Sequence, residues 1–405
     1  MPGALAGIVV VDITQGLAGP YCSMLLSDAG AEVIKVEPPS GDTARGYGPA
    51  YRGEDAAPFV ELNRNKRSVA LDIERPEGMD ALRRLIATAD VLLTDLSPAR
   101  AADLHLDYPS VEAISTRVVQ CNITPFGEFG PMANQPGAEI VIQAMAEYTE
   151  SLGTMGEPPV RLGTDVGNLN TGGQAVQGIV AALFMRERTG EGQLVTVNML
   201  GTLMHLRGMM WASHSEGVDD WWGFHQDTYI KPADHGYETK DGYVFLTAGQ
   251  GTLSPESLRA LTDKIGIDPK VYEDPRWAGN GAGVIGGSSR YGYEVKPTWN
   301  EALRKFTTQE VIALFDEAGA NAFPVNNYAT LFADPQVQEI QMLQELPDAT
   351  LGSYRTLGAP WLFKQTPAGP RSAAPSLGEH TDEVLTQAGF SAGDIAKLKA
   401  AGAAR

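Results

Sequence analysis

A chain of 405 residues exceeds one ordinary core, so about two or three domains are expected. Its composition, 43% hydrophobic and 20% charged, describes a soluble globular protein, and 45 Gly with 26 Pro supply the turns that α/β folds need at strand–helix junctions. The net charge of −19 argues against nucleic acid as a partner, and no window reaches the apolar length of a membrane span.

The N-terminus lacks a basic leader, and its apolar run Ile8–Val11 breaks at Asp12, so it reads as a strand rather than a signal peptide. The turn Gln15-Gly-Leu-Ala-Gly19 follows, then a helical pattern (Tyr21, Leu25, Leu26, Ala29) and a second strand, Glu32–Glu37. Strand, helix and strand in so short a span make a βαβ unit of a parallel sheet. Val69–Asp72, Val91–Leu93 and Arg117–Asn122 read as further strands and Glu77–Ala87 as a helix, giving an open, Rossmann-like α/β domain whose loops at the strand C-termini are the expected ligand site.

Residues 174–188 read as a long helix, and 194–210 are expected to leave the sheet. The stretch 211–235, with Asp219-Asp-Trp-Trp222, is read as a connection, its tryptophans as core or interface. Tyr237–Thr247 is a predicted β-hairpin turning at Lys-Asp-Gly, opening a smaller α+β domain over 236–330. The glycine-rich loop 279–292 is either a linker or a substrate lid, and 331–405 is expected to return to the large domain begun by 1–210. Cys22 and Cys121 are too few for a disulfide framework or metal cluster, which fits a reducing cytoplasm. His225 and His235 lack metal-ligand spacing, and His380 reads as a turn residue.

Several motifs in order resemble the class III CoA-transferases (formyl-CoA, carnitine and benzylsuccinate types): Asp12-Ile-Thr through Gly19-Pro20, Gly30–Asp42, Leu62-Asn-Arg-Asn-Lys-Arg-Ser68, Arg161–Gly173, Glu187–Gln193 and Leu377–Leu385. The resemblance implies a large domain built from both chain termini and two chains threaded as interlocked rings. It also implies coenzyme A as a co-substrate, with no permanently bound cofactor.

In that family an aspartate stands where this chain has Asn168. The aspartate attacks an acyl-CoA thioester and carries the acyl group as a mixed anhydride; a neutral carboxamide is a very poor nucleophile. Glu139 matches the acid of the family's Tyr-Glu pair, or equally is an acid at a helix start, while Ala138 lacks the His of the racemase branch. Asp165 reads as a loop residue rather than a displaced nucleophile. Gly16 lies in a turn whose backbone either approaches a ligand or serves only the turn.

Phosphates need cations, and the candidates are Lys35, Arg45, Arg64, Lys66 and Arg67, with Lys66 in the family's Asn-x-x-Lys-Arg-Ser element. The family's Glu-Asn-Phe-Arg-Pro-Gly segment is here Thr94-Asp-Leu-Ser-Pro-Ala99, which places Asp95 and Leu96 at cofactor-contact positions and Asp95 near phosphates. Three readings of Asn168 follow. One is a pseudo-subunit whose paralogous partner carries the Asp, as in the benzylsuccinate type. Another is a dehydratase, lyase or isomerase using Glu139 or Asp165. The last is an engineered Asp-to-Asn form of a transferase that pairs with itself.

Overall fold

The structure is a computed structural model and describes residues 2–149, 152, 158–208, 236–247, 253–273, 290–348 and 352–405, without the side chains of Thr247 and 290–294. These residues form two compact units, one of 1–146, 162–206 and 335–405, the other of 147–161 and 207–334. The predicted connection 211–235 and residues 279–289 of the glycine-rich loop lie outside the described residues.

The first unit is built on six strands: Val9–Asp12 (β1), Glu32–Glu37 (β2), Lys66–Ala70 (β3), Val91–Thr94 (β4), Val119–Thr124 (β5) and Leu194–Asn198 (β6). All pair in parallel, in the order β3-β2-β1-β4-β5-β6. The order therefore reverses between β1 and β4, and the crevice at the C-terminal ends of those strands is where open α/β sheets take ligands.

Alternating side chains divide the sheet between two cores. Val10, Val33, Leu93 and Cys121 face helices Ala18–Asp28 (α1) and, later in the chain, Val166–Thr189, through Cys22, Leu26, Ala175 and Ile179. Val11, Ile34, Val69 and Leu92 face the opposite way, onto Pro76–Thr88 (α2) and the two C-terminal helices, contributed by Leu82, Ile86, Val384, Leu385 and Leu398. The chain's end is thus part of the first unit's core.

Two sequence expectations are corrected. Leu194–Asn198 does not leave the sheet; its alternating β-branched residues add it to the edge beside β5, with Asn122 opposite Thr196. Helix formation also starts at Val166, not at residue 174, so Asn168 lies in the first turn of the helix, with Asp165 just before it. Gly167, Asn168, Asn170, Thr171, Gly172 and Gly173 have poor intrinsic helix propensity, and the group that stabilises this start comes from elsewhere in the chain.

With Glu139–Met145 as α3, Val166–Thr189 as α4 and Met199–Leu206 as α5, the helices around Asn168 pack on one another. Gly172 sets the closeness of α4 to α1: a Cβ there would lie 2.5 Å from the Ala18 carbonyl oxygen and 3.1 Å from the Cys22 nitrogen. Asn168 precedes it by four residues and shares the face of α4 that meets the start of α1.

In the second unit, Tyr237–Glu238 (β7) and Tyr243–Thr247 (β8) form the expected hairpin, and Asn321–Pro324 (β9) pairs antiparallel on the far side of β8. Its core centres on Trp299 and Phe315, ring centroids 6.1 Å apart, with Val244, Leu258 and Leu261.

Candidate functional site

Position 168 is defined by its contacts with Glu139. The Glu139 side chain reaches from the first residue of α3 to the first turn of α4 and acts as that helix's cap. Its Oε1 accepts from the Gly167 N–H at 2.8 Å and from Gln143 Nε2 at 2.9 Å. Its Oε2 accepts from the Asn168 N–H and from Asn168 Nδ2, both at 2.8 Å. Asp165, at the residue preceding the helix, makes no side-chain cap, so the acid from α3 supplies what the local sequence lacks. A carboxylate offers about four acceptor sites, and four donors occupy this one. Gln143 extends the tie by donating to the Thr164 carbonyl and accepting from the Leu162 N–H, at 3.1 Å each. Sequence reading missed Gln143; its signal is the i, i+4 spacing from Glu139 on one helix.

The second half of the site is the turn after β1, at the reversal of strand order. Gly16 adopts φ +76°, open to glycine and strained for a side chain, so here the glycine does serve the turn. Its N–H donates to Asp42 Oδ1 at 2.9 Å, and the preceding Gln15 N–H donates to Asp95 Oδ2 at 2.8 Å. Asp42, the last residue of the Gly30–Asp42 motif and given no role of its own by the sequence, additionally caps the short helical turn Thr43–Gly46 through the Ala44 N–H.

Beneath this turn lies a buried charge network. Lys35 is fully buried, pairs with Asp42 at 2.7 Å and donates to the Thr14 carbonyl. Lys66 donates to the Pro20 carbonyl at 2.9 Å and to Asn63 Oδ1 at 2.8 Å, with Asp12 at 3.6 Å. Burial draws the Lys66 ammonium down to about 7, against an ordinary value of 10.5. Burial also pulls the Asp12 carboxyl upward, but Lys35 and Lys66, with hydrogen bonds from Ser23 and Thr14, outweigh it and hold that group below its ordinary value. Burial pushes Asp95 up to about 6, despite the Gln15 N–H and Lys35.

The remaining predicted cations are internally paired. Arg45 binds Glu37 and Asp55 and stacks on Phe59, 3.7 Å from the ring centroid. Arg64 is buried against Asp28 at 2.6 Å, which makes it a structural ion pair. Arg67 pairs with Glu32 and Glu383 towards solvent. Leu96 packs on the core of the sheet, its N–H bonded to Thr94 Oγ1, and Ser97 caps the helix Pro98–Asp103. The Thr94–Ala99 segment is therefore a well-formed strand exit, with an acid at its mouth.

Comparison with known proteins agrees with the architecture. The model of CoA-transferase family III matches residues 5–381. The chain is 28% identical to the succinyl-CoA:glutarate CoA-transferase of Homo sapiens over 95% of its own length and 85% of that protein's. It is 32% identical to the succinate–glutarate CoA-transferase of Agrobacterium fabrum over 95% of both chains. A CAIB/BAIF family protein from Brucella suis superimposes with a TM-score of 0.81 at 28% identity, covering 96% of this chain and all of that one. With the family model spanning most of its length, the chain belongs to CoA-transferase family III.

Proposed function

We propose that the chain is the non-nucleophilic subunit of a CoA-transferase that moves CoA between an acyl-CoA and a free carboxylic acid, its paralogous partner supplying the aspartate. The observation that carries this reading is the Asn168 side chain: a neutral amide whose Nδ2 is spent on Glu139. Forming the mixed anhydride requires a carboxylate oxygen, and the amide at position 168 offers none. In the partner, an aspartate adds to the acyl carbonyl and expels the CoA thiolate. The thiolate then attacks the enzyme's carbonyl, releasing the first acid, and the second acid reverses the sequence.

Two further features support the reading. Glu139 has its acceptor sites filled by four donors, which disfavours a dehydratase, lyase or isomerase that uses it as a general base. Helices α3, α4 and α5 leave Ile140, Met145, Val180, Phe184, Met204 and Leu206 exposed, an apolar surface suited to a tightly bound second chain, whether the interlocked partner is a paralogue or a copy.

The test is to purify the chain alone and together with its paralogue, and to follow acyl exchange between CoA thioesters and free acids. Exchange only in the mixture supports the proposal. Recovery of exchange in the lone chain on Asn168→Asp would point instead to a self-pairing transferase with a single altered residue.

A further inference from the structure

The turn after β1 presents two successive backbone N–H groups at the reversal of strand order, and the chain fills both with its own carboxylates. Gly16 is held by Asp42, which is fixed in turn by Lys35 and by the Ala44 N–H. The Gln15 N–H is held by Asp95, from the end of β4 across the crevice, while the Gln15 side chain accepts from the Thr43 N–H. Among the described residues Asp95 makes no ion pair within 4.0 Å, unlike Asp42, and the residue as a whole is half-buried. Of the two carboxylates, Asp95 is the one whose release would leave the buried network intact.

We propose that Asp95 is an internal competitor for acyl-CoA: its carboxylate occupies the Gln15 N–H at the mouth of the β1–β4 crevice, and a ligand oxygen docks there only by displacing it. The ligand group is a hydrogen-bond acceptor oxygen, either the thioester carbonyl or a phosphate of CoA. A negative charge at this mouth opposes both, and opposes the phosphate more strongly. The inference rests on acyl-CoA being the ligand class of the fold, and not on which chain holds the nucleophile.

The charged groups around Asp95 come from each strand of this half of the sheet: Asp12 from β1, Lys35 from β2, Asp42 from the loop after β2, and Lys66 from the start of β3 as a neighbour of Asp12 and Asp42. Asp12 and Asp42 disfavour its charge and Lys35 favours it, with burial the larger influence. Protonation of Asp95 in mildly acidic solution weakens its hold on Gln15. Lys66 also titrates near neutrality, so the variant, and not the pH profile alone, assigns the effect to Asp95.

The experiment is calorimetric titration of the chain with acetyl-CoA, which carries thioester and phosphates, and, separately, with S-acetylpantetheine, a thioester without phosphates. Wild type, Asp95→Asn and Asp95→Ala are compared at about pH 8 and about pH 5.5, on either side of the carboxyl's transition. At the higher pH, Asp95→Asn should bind about tenfold more tightly than wild type and Asp95→Ala at least as tightly as Asp95→Asn. Wild type should approach Asp95→Asn at the lower pH. A gain confined to acetyl-CoA identifies a phosphate as the group that takes the place of Asp95; a gain with both ligands identifies the thioester carbonyl they share. If Asp95→Ala fails to fold, the wild-type and Asp95→Asn comparison still decides. Equal affinities of wild type and Asp95→Asn at the higher pH, or a wild-type pH dependence that persists unchanged in Asp95→Asn, would overturn the proposal. Neither result depends on acyl exchange, so the subunit reading stands or falls separately.

Discussion

Asn168 donates through its side-chain Nδ2 and its backbone N–H to the same oxygen, Oε2 of Glu139, at 2.8 Å each. Asn168 is thus one half of a helix cap whose acid arrives from another helix. Removing that acid tests the cap directly. Glu139→Ala leaves the Gly167 and Asn168 N–H groups and two side-chain amides without their acceptor, and should cost about 1–3 kcal/mol in denaturant unfolding. Hydrogen exchange at Gly167 and Asn168 should accelerate; unchanged protection would show that the cap does not hold the start of α4.

Asp95 should make stability depend on acidity. Its folded value of about 6 lies above the ordinary 3.8, so the folded state holds the proton more tightly between these limits. Stability contributed by the protonated group is full below the lower value and is lost as pH rises through the upper one. Asp95→Asn should therefore be more stable than wild type by about 1–2 kcal/mol at neutral pH, with the advantage vanishing near pH 4. A constant difference across that range would contradict the assignment.

Lys66 works in the opposite direction. Its folded value of about 7 lies below the ordinary 10.5, so across that window the unfolded chain binds more protons. Stability from this group accordingly rises with pH from about 7 to about 10.5. Lys66→Met should flatten that part of the stability–pH curve relative to wild type, as followed by thermal unfolding in a pH series.

The crossing of α1 and α4 depends on Gly172. A methyl group there meets backbone atoms at Ala18 and Cys22, which cannot rotate away. Gly172→Ala should destabilise by about 1–3 kcal/mol, lowering Tm, even though alanine is the better helix former. A gain in Tm would mean that helix propensity outweighs the contact.

The parallel sheet was legible because β-branched runs, turn glycines and the following helices repeat locally: Glu32–Glu37 is a strand within the same bounds in sequence and structure. Leu194–Asn198 was not, since joining the edge beside β5 is a pairing between segments distant in sequence. The start of α4 failed for a related reason. Its cap is Glu139, whose interaction with Gly167 and Asn168 no local pattern announces. The cations were legible as residues but not as a network, because Lys35 with Asp42 and Arg64 with Asp28 are partners only in three dimensions. Asp95 was marked by its departure from the family segment, whereas its partner, the Gln15 N–H, became visible only once β1 and β4 lay side by side.

The central claim is that position 168 supplies no nucleophile and that a partner chain does. It is tested most directly by acyl exchange measured for the chain alone, for its paralogue alone and for the assembled pair, with a second pair in which the paralogue's aspartate is replaced by asparagine. The account expects no exchange from the lone chain, exchange from the assembled pair, and its loss when the paralogue's aspartate is removed. Full exchange by this chain alone, with Asn168 in place, would contradict it.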